Sequence, residues 1–222
     1  VYRRHTNFSM EAIEQTFNGN QGFDSSVTAT ISRNGDLVHK MYFEWSPLLF
    51  QGTTNGGNIS PNQGNNLLKE MEIEIGGQKI DKHYGHWLTT WTELTEPNPL
   101  GSKLSLVANT NGEGITDEGI IADRLAYNHI GALNSASQSV APSSAFVPLQ
   151  FWFCRNPGLA LPLIALQYHE VKVKITFCSA SQLSTNPFTF SQTCKLWCDY
   201  IYLDTDERRR FAQVSHEYLI EQ

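Results

Sequence analysis

Residues 171–177 (VKVKITF) constrain the fold more tightly than any other part of the chain. Val171, Val173, Ile175 and Phe177 alternate with Lys172, Lys174 and Thr176. That period-two pattern belongs to a strand with one face in a core and the other toward water. Upstream, the aromatic run from Phe151 is broken by Asn156-Pro157-Gly158, and an apolar stretch containing Pro162 follows. Nothing between 151 and 177 resembles a nucleotide loop, a metal cluster or a nucleophile elbow. The strongest pattern in the chain is built for packing and points away from catalysis.

Similar alternation recurs elsewhere. Phe8, Met10 and Ala12 read as a first strand ending near Asn18-Gly19-Asn20. Val27, Ala29 and Ile31 lead into Arg33-Asn34-Gly35-Asp36, with Leu37, Met41, Phe43 and Trp45 beyond. Asn-Gly between two alternating runs predicts a hairpin with a type I′ turn. Leu67, Lys69, Met71, Ile73 and Ile75 alternate with Leu68, Glu70, Glu72 and Glu74, and Gly76-Gly77 closes that strand. Ile80, Tyr84, Trp87, Leu88, Trp91 and Leu94 then recur at spacings of three and four, which predicts an amphipathic helix. Asp81 falls in its first turn, and Pro97 and Pro99 end it. Residues 51–66 form a long polar loop rich in Gly and Asn, and 179–191 form another polar connection. Strands cannot be assigned in 101–146 from pattern alone. From Cys194 to Leu203 alternation returns, with Leu196, Cys198, Tyr200 and Tyr202 on one face. A helix is expected over Asp204–Gln222. Strands separated by turn signals, with only two short helices, imply an all-β sandwich.

Composition narrows the function. Charged residues are 17% of the 222, while Gly and Asn contribute 16 each, as in a loop-rich β protein whose surface is partly covered by partners. A net charge of -6 argues against direct nucleic-acid binding. No apolar run approaches the roughly 20 residues that a membrane-spanning helix needs. Cys194 and Cys198 lie on one strand face about 13 Å apart, too far to bridge or share a metal. Together with Cys154 and Cys178 they read as buried free thiols of a reducing compartment.

Each candidate site has a plainer reading. His83 and His86, three apart on the expected helix, lack the further ligands of a zinc site and read as structural. A cupin would need clustered His and Glu, but His39 and His169 are far apart in sequence and His169-Glu170 point to opposite faces. Trp87 and Trp91 suit a carbohydrate-stacking platform, yet four apart on a helix they are better placed as core. Arg208-Arg209-Arg210 could contact nucleic acid, but Asp204, Asp206 and Glu207 beside them favour a salt-bridged helix surface. Asn7-Phe8-Ser9 and Asn58-Ile59-Ser60 match the glycosylation pattern, and the second sits in the polar loop 51–66. No catalytic, cofactor-binding or metal residue is assigned.

Three long segments resemble one family. Phe151–Phe177, Gly76–Thr95 (GGQKIDKHYGHWLTTWTELT) and Tyr202–Gln222 (YLDTDERRRFAQVSHEYLIEQ) look like the major capsid protein of the nucleocytoplasmic large DNA viruses. The resemblance implies an eight-stranded antiparallel jelly-roll sandwich over 1–203, with one or two short helices. Residues 204–222 would be a helical linker toward a second jelly roll, and a chain that opens without Met is expected to be a fragment. It further implies a structural virion protein, not an enzyme, forming homotrimeric, pseudo-hexagonal capsomers of an icosahedral shell assembled in the host cytoplasm. Neighbouring capsomers and minor capsid proteins would be its partners, with glycans on surface loops. The alternative is a jelly-roll carbohydrate-binding module. Trp87, Trp91, Phe151, Phe153, Val171, Val173 and Ile175 are the expected core residues.

Overall fold

The computed structural model describes residues 6–46, 63–95, 145–183 and 193–220. Alternation becomes strand at β1 (Phe8–Gln15), β2 (Phe17–Asn18), β3 (Ser26–Thr30), β4 (Leu37–Ser46) and β5 (Leu68–Ile75). It continues in β6 (Gln78–Tyr84), β7 (Ala145–Pro148), β8 (Leu161–Pro162), β9 (Val171–Phe177) and β10 (Thr193–Leu203). Eight of these have four residues or more, while β2 and β8 are two-residue additions. The helices are α1 (Gln63–Leu67), α2 (Gly85–Thr95), α3 (Trp152–Arg155), α4 (Ala180–Leu183) and α5 (Thr205–Gln213), with a 3-10 turn at Pro157–Leu159.

The strands form two five-stranded sheets. One has the order β1-β10-β4-β7, with β8 beside β4; the other has β2-β3-β9-β5-β6. All pairings are antiparallel. Among the long strands, every successive pair except β5–β6 lies in opposite sheets, so the chain winds around the sandwich. This is the jelly roll, four long strands over four.

The winding overturns one expectation. Asn34-Gly35 does not close a hairpin, because β3 pairs with β9 and β4 with β10. Neither residue has positive φ, as a type I′ turn would require. Gly35 is there for contact: a Cβ on it would stand 2.9 Å from Cβ of Tyr200. The two-residue hairpin is β5–β6, where Ile75 pairs with Gln78 and Gly76 and Gly77 take φ of 61° and 83°. Both turn residues need the left-handed region, which glycine enters without strain.

That hairpin also corrects the helix expected from Ile80. Residues 78–84 are strand, and α2 begins only at Gly85. Asp81 is therefore a buried strand residue, while Tyr84 is exposed and Ile80 only partly buried. Within α2 the buried stripe is Gly85, Leu88 and Thr92. Trp87 is 36% exposed, so it is not core, and Trp91 is only half-buried. Three smaller differences concern helices. The polar loop expected over 51–66 gives way to α1 at Gln63; its residues before 63 lie outside those described. The connection after 179 contains α4, whose Leu183 is buried. The final helix stops at Gln213, because Val214 turns extended and His216 folds back to stack on Phe211 at 5.3 Å.

The core between the sheets holds the expected Phe151, Phe153, Val171, Val173 and Ile175, all 0–2% exposed. Phe43 of β4 spans the layers, with its ring centroid 6.1 Å from Phe177 of β9 and 6.3 Å from Phe17 of β2. Each such aromatic contributes about 1.5–3 kcal/mol by leaving water.

Candidate interaction surfaces

The described residues bring no catalytic set together. His83, on β6 and not on a helix, places Nε2 3.2 Å from Asp81 Oδ2 and stacks on Phe151 at 5.1 Å. His86 is exposed at the start of α2. His39 is buried on β4, with Nδ1 2.9 Å from the carbonyl of Phe153. His169 sits at the surface before β9, against Gly76. These imidazoles are used in packing and local pairing, and among the described residues no group of three His, Cys, Asp or Glu side chains could hold a metal ion. All four cysteines are buried and unbridged. Burial pushes the thiols of Cys154, Cys178 and Cys194 up to about 12, and Cys198 likewise well above its ordinary value. They are neutral thiols near pH 7, which makes them poor nucleophiles.

The aromatic pair on α2 is not an open platform either. Trp87 and Trp91 lie 5.7 Å apart, but the Arg155 guanidinium sits over Trp91 at 5.1 Å. Each arginine of the 208–210 run has an acidic partner: Arg208 with Asp36 at 2.9 Å, Arg209 with Asp206 at 3.9 Å and Arg210 with Glu207 at 3.7 Å. Asn7 is exposed just before β1, whereas Asn58 lies outside the described residues.

What the surface does offer is a contrast between two sheet faces. The outer face of β3-β9-β5-β6 is mainly a ladder of threonine, lysine and glutamate, with Tyr84 exposed on β6 beneath the Lys82 ammonium. Lys82 binds Glu70 at 2.9 Å and Glu72 at 3.5 Å, and Lys172 binds Glu170 at 2.9 Å. The Lys82 ammonium holds the Glu70 carboxyl below its usual range, and Glu70 holds Lys82 above its own. Such a face is satisfied in water.

The outer face of β1-β10-β4-β7 is different. Phe8, Met10 and Phe146 are 63%, 51% and 44% exposed, with Trp197, Ile201 and Tyr42 half-buried between them. Three of its charged groups are held within the sheet: Lys195 pairs with Glu14 at 3.1 Å, and Glu44 accepts from Trp197 Nε1 at 2.7 Å. Asp199 sits where the β10–β4 register shifts, and partial burial raises its carboxyl against the opposing pull of Lys40 and His39. An aromatic face on which Lys195, Glu14 and Glu44 already have partners loses little there when water leaves it, as in the core of a protein interface.

The family model described as the major capsid protein N-terminus matches residues 1–204. The major capsid protein of Pyramimonas orientalis virus is 50% identical over 232 residues, covering 100% of this chain and 51% of that protein. That of Paramecium bursaria Chlorella virus 1 is 42% identical, covering 100% of this chain and 46% of that protein. Among solved structures, the quasi-atomic model of the PBCV-1 virus capsid superposes with a TM-score of 0.72 at 40% identity, over 99% of this chain and 48% of that one. The Faustovirus major capsid protein shares the fold at 14% identity and a TM-score of 0.59, over 95% of this chain and 57% of that one. The chain spans about half the length of the curated relatives it matches.

Proposed function

This chain belongs to the major capsid protein family of the large DNA viruses, and on that premise we propose that it is one jelly-roll module of a shell-forming subunit. The observation that carries the reading is the family's jelly roll with two unlike outer faces, one finished in salt bridges and one left aromatic. A module that works by contact needs such a division, because one face must stay in water while the other is buried by a neighbour.

The mechanism is geometric. A shell repeats one contact many times, so subunit stiffness becomes angular precision. Two sheets locked through Phe43, Phe177 and Phe17 supply that stiffness. Three chains around a three-fold axis form the capsomer, with residues 204–222 leading toward a second jelly roll. Neighbouring capsomers and minor capsid proteins are the partners, and the virion is the location, with assembly in the host cytoplasm. The role is structural and asks no chemistry of the side chains. Buried interfaces of this obligate kind reach about 2,000 Å² or more.

Native mass spectrometry of the intact protein tests the reading. The expected species has three times the mass of one chain and persists on dilution. A protein that stays monomeric at high concentration contradicts it.

A further inference from the structure

The corner between β3 and β4 is a polar knot. Ser32 donates to Gln15 Oε1 through its backbone N at 2.9 Å and its hydroxyl at 2.8 Å, and Tyr200 donates to the Ser32 carbonyl at 2.6 Å. Arg33 donates to the carbonyls of Leu166, Gln167 and His169. Gly35 is pressed against Tyr200, Asp36 N bonds the Ile201 carbonyl at 3.1 Å, and Ile164 N bonds that of Asp36 at 3.2 Å. The corner is thus held from β1, β10 and the 164–169 turn at once.

Out of this knot the Asp36 carboxylate reaches α5. Its side chain is only 11% exposed. Oδ2 accepts from Leu203 N at 2.8 Å and from Arg208 Nη2 at 3.1 Å, and Oδ1 accepts from Arg208 Nε at 2.9 Å. The two-pronged fit fixes a direction as well as a distance, since the guanidinium is planar and its donors are rigidly placed. No residue of α5 is fully buried; its Asp204 cap accepts from Glu207 N of the same helix at 3.0 Å and from the Thr6 hydroxyl at 3.5 Å, contacts at the helix start that leave its heading to Arg208. Beyond α5 the Tyr218 hydroxyl donates to the Ala160 carbonyl at 3.4 Å and Ile220 packs against the core, contacts that hold the tail and not the helix itself.

We propose that Asp36 and Arg208 are the positioning pair that sets the heading of α5 relative to the sandwich, with the 32–36 corner as its seat. With only Glu207 and Phe211 half-buried, the helix has little hydrophobic preference among headings, so the polar contacts that bind it weigh most in its direction. The rigid corner transmits the sandwich frame to the helix through one guanidinium. Only the consequence for shell geometry rests on the capsid reading: the angle between this module and what α5 leads to would be set here.

Hydrogen–deuterium exchange on the intact protein tests the pair with R208A and R208K. R208A is expected to raise exchange of the α5 amides by about fivefold or more, with β4 and β10 unchanged. R208K is expected to recover part of that loss, because an ammonium keeps the charge but cannot fork across both carboxylate oxygens. Unchanged α5 exchange in R208A overturns the proposal, as does an equal rise in β4 and β10, which would mean a general structural role. A wild-type protein that forms no trimers would sink the capsid reading and leave the exchange comparison to decide the pair.

Discussion

Phe43→Ala is expected to lower the unfolding free energy by about 3–5 kcal/mol, the largest effect of any single truncation considered for this fold. Phe43 is fully buried on β4 and touches Phe17 and Phe177 of the opposite sheet. Removing its ring opens a cavity at the point where the layers interlock. The surrounding strands are fixed by their ladders and cannot collapse into the space, so the cavity cost adds to the lost transfer energy. Phe43→Leu keeps most of the volume and is expected to cost less than about 1.5 kcal/mol. Denaturant titration of the two variants checks the pair of values. Near-equal midpoints for Ala and wild type would mean the sheets do not depend on that contact.

Gly85→Ala is expected to be nearly as damaging, at about 3 kcal/mol or more. Gly85 sits at the joint where β6 becomes α2, and its φ is not in the left-handed region. The constraint is space: a Cβ there would run into the carbonyl oxygens of Asn65 and Leu68. Both obstacles are backbone, so no rotamer change relieves the clash, and α2 must lift away from α1 and β5. The predicted signature is a drop in melting temperature together with faster exchange in α1 and α2. Alanine scanning of the neighbouring exposed Thr90 gives the control, expected within about 0.5 kcal/mol of wild type.

The sandwich was legible wherever its inner face is apolar. Residues 171–177 and 194–200 alternate cleanly and are buried in that register. Reading failed where the inner face is polar or the cause of a residue lies far along the chain. On β6 the buried residues are Asp81 and His83, while Tyr84 is exposed and Ile80 only partly buried, so the strand reads as a helix in sequence. On β1 the alternating Phe8, Met10 and Ala12 point away from the core, toward the aromatic outer face. Gly35 carries a hairpin signal but answers to Tyr200, a contact that no local window contains. β7 has four residues and β8 two, too short for periodicity to register. The aromatic outer face carries no sequence signal for a related reason, because it is assembled from β1, β10, β4 and β7, whose sequence order gives no hint that they lie side by side. The Arg208–Asp36 pair likewise joins two distant segments, whereas the acids beside the arginine run in sequence explain only Arg209 and Arg210.

Electron cryomicroscopy of the intact protein would show how this domain is used. Three-fold particles with a pseudo-hexagonal outline are expected, in which this domain stands with its strands upright and its Phe8–Trp197–Phe146 face buried against a neighbour. Particles without three-fold symmetry, or a map in which that aromatic face meets only solvent while the Lys82–Glu70 face forms the contact, would contradict that expectation.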